Sequence, residues 1–436
     1  MKLRSASLLP VAMILAACSS DAPSGGDGSA GAQSGSQAGS PATAGTHAGG
    51  GSSTAGAANT SGGAPGTAGA PATSAGAGGA HSGGGGAPAG TAGTGTGAAG
   101  APATGGAGAG SGGAPGGGGG ATSVSAHLPE PSGGSTVPQP TGAGTKITVV
   151  PWAGFKGAVT YSFDDDNQSQ IDNYTALNTA AKAAGAHYTF FLWTGRSQAQ
   201  DAVWKTALQD GHEIGNHTKS HSDTPSGDGD ITDATTFITS TFNKPPYVFA
   251  APSGKTAYVS LVKGLFFINR MVSDGLIGAT NDNTDPWNLP TYIAPAGDGS
   301  MYNSEIDGAV SGGKWRTICI HGFTMSSNDG AYNAIPLASV TDSIAHAHTA
   351  GAWIDTMSTI GAYWLGGKAI AAAMSTTSGT DKTFTWTLPA NFPPGRYIRV
   401  TTDGGVLKQG GTAIPWDTHG FYEIALDAKS VTLSAQ

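Results

Sequence analysis

From about residue 19 to about residue 143 the chain is built almost wholly from Gly, Ala, Ser, Thr and Pro, with very few large apolar side chains. Such a tract cannot bury enough surface to offset the conformational entropy of folding, so it is expected to stay disordered. Its glycine content makes it a flexible linker with a reach on the order of 60 Å. No strict Gly-X-Y period runs through it, which sets collagen aside. What can fold lies in the remaining part, roughly 290 residues, enough for one large domain or one domain with a small appendage.

Ahead of the linker, Lys2 and Arg4 form a charged start and Leu8 to Ala16 an apolar stretch too short to span a bilayer. Leu15-Ala16-Ala17-Cys18 then places small residues before a cysteine. These four resemble the lipobox of bacterial lipoproteins, which implies cleavage after residue 17 and lipid on Cys18. An ordinary cleaved signal peptide is the alternative. Lipidation would put the protein outside the cytoplasm, at an outer membrane or cell surface, touching the membrane through its anchor only. A net charge of -8 without a Lys/Arg cluster argues against nucleic acid as a partner. With Cys18 committed, Cys319 has no cysteine to pair with, and its apolar surroundings read as a buried thiol.

In the foldable part the hydrophobic period switches between two and about 3.6. Strand-like runs are expected at 158–163, 187–193, 213–216, 247–250, 266–269, 316–320 and near 353–357. Helices are expected between them, one with Ile171, Tyr174, Leu177 and Ala181 on a face and Gly185 as its stop, another around 199–209 ending at Gly211. About seven such alternations imply an α/β fold with parallel strands, a barrel or an incomplete barrel, in which catalytic groups gather at the carboxyl ends of strands. Asp164, Asp165, His217 and His321 fall there, with His221 four residues after His217. Two carboxylates and two imidazoles at strand ends are what a divalent metal site with an adjacent general base requires.

Three stretches carry a resemblance. Ser162-Phe163-Asp164-Asp165-Asp166 resembles the Thr-Phe-Asp-Asp-Gly motif of the polysaccharide deacetylases, carbohydrate esterase family 4; His217-Thr218-Lys219-Ser220-His221 resembles its His-Ser/Thr-x-x-His motif; Ile318-Cys319-Ile320-His321-Gly322 resembles its Leu-x-His motif. The resemblance covers roughly residues 155 to 365. It implies a deformed (β/α) barrel in which Asp164 is the base, Asp165, His217 and His221 hold a divalent metal, and His321 is the acid. Zinc suits two imidazoles and a carboxylate best, with cobalt or nickel as alternatives. The chemistry agrees: hydrolysis of an acetyl amide or ester needs an activated water, a base beside it and an acid for the leaving atom.

The third motif of that family, Arg-x-Pro-Tyr/Phe, is not matched. This chain reads Phe249-Ala250-Ala251-Pro252-Ser253-Gly254, so the arginine expected to orient the base is missing. Arg270, at the end of the next strand, is the candidate to replace its charge. Trp287 and Asp285 sit where the resemblance implies a tryptophan walling the acetyl pocket and an aspartate tuning the acid histidine.

After about Gly367 the pattern becomes alternating strands at 383–388, 396–401, 421–426 and 430–434, a small β-rich, sandwich-like appendage. The expected division is therefore a signal peptide to 18, a linker over 19–143, a catalytic domain over 144–367 and an appendage over 368–436. Trp386, Trp416, Tyr397 and Tyr422 could stack on sugar rings or pack the appendage core. Two functions are compatible with these features: a surface-tethered, metal-dependent deacetylase of acetylated polysaccharide or oligosaccharide, or a catalytically weak glycan-binding lipoprotein that kept the fold. The full Asp/His set favours the first.

Overall fold

The computed structural model describes residues 127–436, apart from 132, 135 and 325–328. Cys18, the leader and the linker up to residue 126 lie outside the described residues.

The strand Gly157–Asp164 lies at the centre of the main sheet, and all eight of its residues are buried. Alternation sorts them between two apolar layers. Val159, Tyr161 and Phe163 face a layer that includes Leu177, Tyr188 and Phe190, and Ala158 belongs to the layer of Phe191, Val248, Ile268 and Trp315. A strand covered on both faces needs a nearly continuous apolar run, which this sequence supplies. Thr189–Leu192, Glu213–Asn216, Val248–Ala250 and Ile268–Arg270 follow on one side, each parallel to the last. Lys314–Ile320 pairs in parallel on the other side, and Ala352–Ile354 pairs with the first half of the central strand. Crossover helices such as Tyr174–Ala184, Val203–Gln209 and Leu337–Ala350 lie between strands. The first of these ends where expected, on Gly185 in the left-handed conformation.

One irregular segment joins the two edges. The amide of Asn269 donates to the carbonyl of Pro286 (2.9 Å) and that of Met271 to the carbonyl of Leu289 (2.8 Å). Shortly afterwards Tyr292–Ile293 pairs in parallel with Ile318 and Cys319. The sheet is thereby curled into a deformed (β/α) barrel, with Ile277–Gly278 as an antiparallel edge on Lys314 and Trp315.

Two antiparallel sheets complete the chain. Ile147–Val149, Tyr397–Thr402 and Tyr422–Ala425 form one; Met374–Ser378, Asp381–Thr385, Ser430–Ser434, Val406–Gln409 and Thr412–Ala413 form the other. They share a core with the helix Met357–Ala371, and the same cluster includes Ala158, Trp315 and Trp353 near the amino ends of the barrel strands. The division expected at 367 falls inside that helix, and the strand 147–149 pairs with 400–402 across it.

Residues 127–143, expected to belong to the linker, include packed chain. Leu128 is buried, the amide of Val137 donates to the carbonyl of Thr418 (2.8 Å), and Gln139 donates to the hydroxyl of Tyr422 (2.9 Å). Three of the four aromatics weighed as sugar platforms serve this packing: Trp416 donates to the carbonyl of Val137 (2.9 Å), Tyr397 stacks on His127, and Tyr422 is fully buried. Trp386 is buried as well. No helix among the described residues is long and apolar enough to cross a membrane.

Candidate active site

Period-two alternation sends Asp164, the last residue of its strand, toward the barrel interior together with Ala158, and it is 2% exposed. The chain then leaves the strand through Asp165 and Asp166, both in the left-handed region, with φ of 73 and 44. Two consecutive non-glycine residues there cost roughly 1–2 kcal/mol each, and the surroundings must impose them. The amide of Trp193 donates to Asp166 Oδ1 (2.8 Å). Arg196 donates to the carbonyl of Asp165 (2.6 Å) and to Asn167 Oδ1 (2.8 Å). Gln170 donates to the carbonyls of Asp164 (2.5 Å) and His321 (2.7 Å), which ties the aspartate turn to the late histidine. Sequence reasoning missed these staples, because none belongs to a motif.

The turn aims Asp165 at two imidazoles. Its Oδ1 lies 3.3 Å from His217 Nε2 and 3.4 Å from His221 Nε2, and all three atoms fall within 4.8 Å of one another. His217 follows Glu213–Asn216, and its Nδ1 donates to the carbonyl of Ala250 (2.8 Å). That bond places the ring proton on Nδ1 and leaves the Nε2 lone pair for a ligand. His221 is held by its own amide on Thr218 Oγ1 (2.9 Å) and by the ring of Trp193, with centroids 4.8 Å apart.

Arg270 ends the strand Ile268–Arg270 and is 1% exposed. Its guanidinium bonds Oδ2 of Asp164 and lies over the ring of Phe191. The charge missing from the third motif thus arrives from the neighbouring strand, where Ala250 and Arg270 are paired in register. His321, after Lys314–Ile320, places Nε2 4.0 Å from Asp164 Oδ2. Cys319, two residues earlier, is buried with Sγ 3.4 Å from that oxygen.

Trp287 and Asp285, expected at the acetyl pocket and the acid histidine, are held by contacts of the closing segment. Trp287 packs against the cluster of Phe249, Tyr258 and Met271, and its amide bonds Asp285 Oδ1 (3.1 Å) in an exposed turn. In the closing segment the carbonyl of Trp287 accepts from Asn269 (2.8 Å).

Burial would raise the carboxyl of Asp164, but Arg270, then His217 and His321, outweigh it and hold the group below the usual carboxylate range. Asp165 is held low against its burial mainly by His217. Asp166, buried with little compensation, is pushed up to about 8. Burial depresses His321 and His221, whereas Asp164 and Asp165 overcome it at His217 and raise that imidazole.

The donor set fits a divalent ion. Asp165 Oδ1 is buried yet makes no hydrogen bond, although two imidazole nitrogens face it. A carboxylate oxygen and two imidazole nitrogens converging in this way are the donors of a zinc-type site, and an ion binding there displaces imidazole protons. Asp164 Oδ1 and His321 Nδ1, at the same mouth, are also buried without a hydrogen-bond partner among the described residues.

No curated protein matches the chain. Among solved structures, a putative polysaccharide deacetylase from Mycobacterium smegmatis is similar at 16% identity and a TM-score of 0.37, over 51% of this chain and 94% of that one. The peptidoglycan deacetylase PdaC from Bacillus subtilis is similar at 17% identity and a TM-score of 0.30, over 47% and 90%. The Xyl-CE4 domain of a multidomain xylanase from the hindgut metagenome of Trinervitermes trinervoides is similar at 14% and 0.32, over 46% and 88%. Residues 154–262, which carry Asp164, Asp165, His217 and His221, match the family model of polysaccharide deacetylase, and the chain therefore contains a domain of that family.

Proposed function

We propose that this protein removes acetyl groups from a glycan, cleaving an N-acetyl amide or O-acetyl ester with the help of a divalent ion. The observation that carries the reading is the meeting of Asp165, His217 and His221 at one point, with Asp164 and His321 beside it, in a polysaccharide deacetylase domain. Asp165, His217 and His221 would hold the ion, zinc before cobalt or nickel. When bound, it supplies charge that polarises the acetyl oxygen and acidifies water.

Asp164, kept ionised by Arg270, accepts the proton of the attacking water. His321 donates a proton to the departing nitrogen or oxygen, and its low intrinsic basicity makes it a ready donor once charged. His217 keeps its Nδ1 proton on Ala250, which fixes the ring. The contact of Arg270 with Asp164 supports an active enzyme over a binding-only protein, because it supplies the charge that the third motif lacks. The protein would act outside the cytoplasm, anchored by lipid at Cys18, with the linker letting the folded body reach acetylated polysaccharide around its attachment point. The folded body comprises the barrel and the β-rich sheets built against it.

Acetate release across acetylated glycans, measured with metal content, tests the reading. The purified chain is expected to bind about one divalent ion and to lose activity on chelation. Asp164→Asn should keep the ion and lose turnover, whereas Asp165→Asn should lose both. Stoichiometric metal in a His217→Ala/His221→Ala double variant would overturn the ligand assignment.

A further inference from the structure

Two departures from the family motifs meet on one atom. The base-orienting arginine comes from Arg270 rather than from the third motif, and the position corresponding to the leucine of Leu-x-His is Cys319. Both side chains reach Oδ2 of Asp164, the arginine through its guanidinium and the cysteine with Sγ at 3.4 Å. Strand register places the two side chains within reach of each other. Cys319 pairs with Ser162, and alternation turns Ser162, Asp164 and Cys319 to the same face, so Cys319 and Asp164 are diagonal neighbours in the sheet.

The thiol is 1% exposed, and burial, opposed by the charge of Arg270 and reinforced by the carboxylate of Asp164, raises it well above the usual cysteine range. It is therefore an S–H group, and toward an ionised carboxylate it can only donate. The leucine of the motif could not. Asp164 Oδ1, by contrast, has no hydrogen-bond partner among the described residues.

Resting on the deacetylase reading above, we infer that Cys319 is a positioning residue for the base: its S–H and the guanidinium of Arg270 pin Oδ2 of Asp164, so that Oδ1 is the oxygen presented to the attacking water. Cys319 touches neither substrate nor metal ligand in this role. It acts by restricting rotation of the Asp164 carboxylate, and a thiol suffices because Arg270 carries the charge compensation.

Kinetics and infrared spectroscopy on the full chain test this. Cys319→Ala should lower kcat about five- to tenfold with KM nearly unchanged, as expected for loss of one weak orienting bond. Cys319→Ser, which keeps a donor, should recover most of the loss, and metal content and melting temperature of both variants should stay close to those of the parent. In a Cys18→Ser background Cys319 is the only thiol, and its S–H stretching band should lie at low frequency and move up in Asp164→Ala. If the parent releases no acetate from any glycan, the deacetylase reading falls, and the band still decides whether the thiol holds the carboxylate. If the parent is active and Cys319→Ala matches its kcat, or if the band does not move, the positioning role is overturned while the deacetylase reading stands.

Discussion

Two of the three buried arginines among the described residues, Arg399 and Arg270, meet the same desolvation problem in opposite ways. Arg399 is wholly enclosed and bonds through every guanidinium nitrogen: Nη1 to the carbonyls of Pro129 (2.9 Å) and Ala153 (2.8 Å), Nη2 to that of Leu128 (2.9 Å), and Nε to Glu423 (3.3 Å). Glu423 accepts in turn from the amides of His127 (2.7 Å) and Leu128 (3.3 Å). Arg270, just as deeply buried, leaves Nε without a partner and faces a carboxylate whose second oxygen is also unbonded. Burying a charge is costly unless it is paired and hydrogen-bonded. The saturated site fastens the start of the folded chain to the small sheets. The unsaturated one lies where Asp165, Asp166, Gln170 and His321 each carry a buried polar atom without a hydrogen bond. Under the proposed function, incomplete satisfaction at that mouth would leave donors and acceptors for substrate and ion, its cost borne by the packed barrel around it.

If the contrast is right, breaking the saturated site should act on stability and breaking the other on turnover. The largest expected effect is at Arg399. Arg399→Ala strands three carbonyls and Glu423, and should cost about 3–5 kcal/mol in urea unfolding, with near-normal turnover per folded molecule. A chain beginning at residue 144 should show a similar loss relative to one beginning at 127. Equal stability of those two chains would make residues 127–143 an accessory rather than part of the fold.

At Arg270 the expected change is kinetic. Arg270→Ala should lower turnover roughly 100-fold while the ion stays bound. Because Arg270 is the main group lowering the carboxyl of Asp164, and the base works deprotonated, its removal should move the acid limb of the pH–rate profile to higher pH. An unmoved limb would make Arg270 a second structural arginine and erase the contrast.

The smallest effect concerns a third solution to burial, which is to stay neutral. His212 stacks on Tyr188 and accepts the amide of that residue at Nδ1 (3.0 Å). Burial, then the nearby charge of His187, lowers it to about 4. The unfolded chain takes up this proton near pH 6.5 and the folded chain only near 4, so stability should fall as pH drops through that interval. The loss is on the order of 2 kcal/mol after allowance for relaxation. His212→Asn keeps an acceptor where Nδ1 stands and should flatten that part of the stability–pH curve. An unchanged slope would assign the acid sensitivity to other groups.

Much of the site was legible in the sequence because it depends on local periodicity. The strand expected at 213–216 is present with those bounds, and that at 158–163 extends by one residue at each end. Their carboxyl ends deliver Asp164, Asp165 and His217, and the motif spacings carry His221 and His321. The strands at 277–278 and 292–293 escaped, because two residues hold no period. Residues 127–143 read as linker for their Gly and Pro content. Their backbone partners lie far along the chain: Leu128 and Arg399 are 271 positions apart.

The sequence alone determined the alternation of strands and helices, the face on which Asp164 lies and the identity of the five Asp and His residues, because side-chain period and strand ends are properties of short segments. Tertiary structure decided which arginine meets Asp164, that Cys319 lies against the same oxygen, and that Trp287 packs with Phe249, Tyr258 and Met271. It also decided that residues 127–143 pack against the small sheets. Those outcomes rest on pairings across long loops, Arg270 with Asp164 across 106 positions. Barrel closure fixes such pairings, and a buried donor finds its acceptor only after water has been excluded.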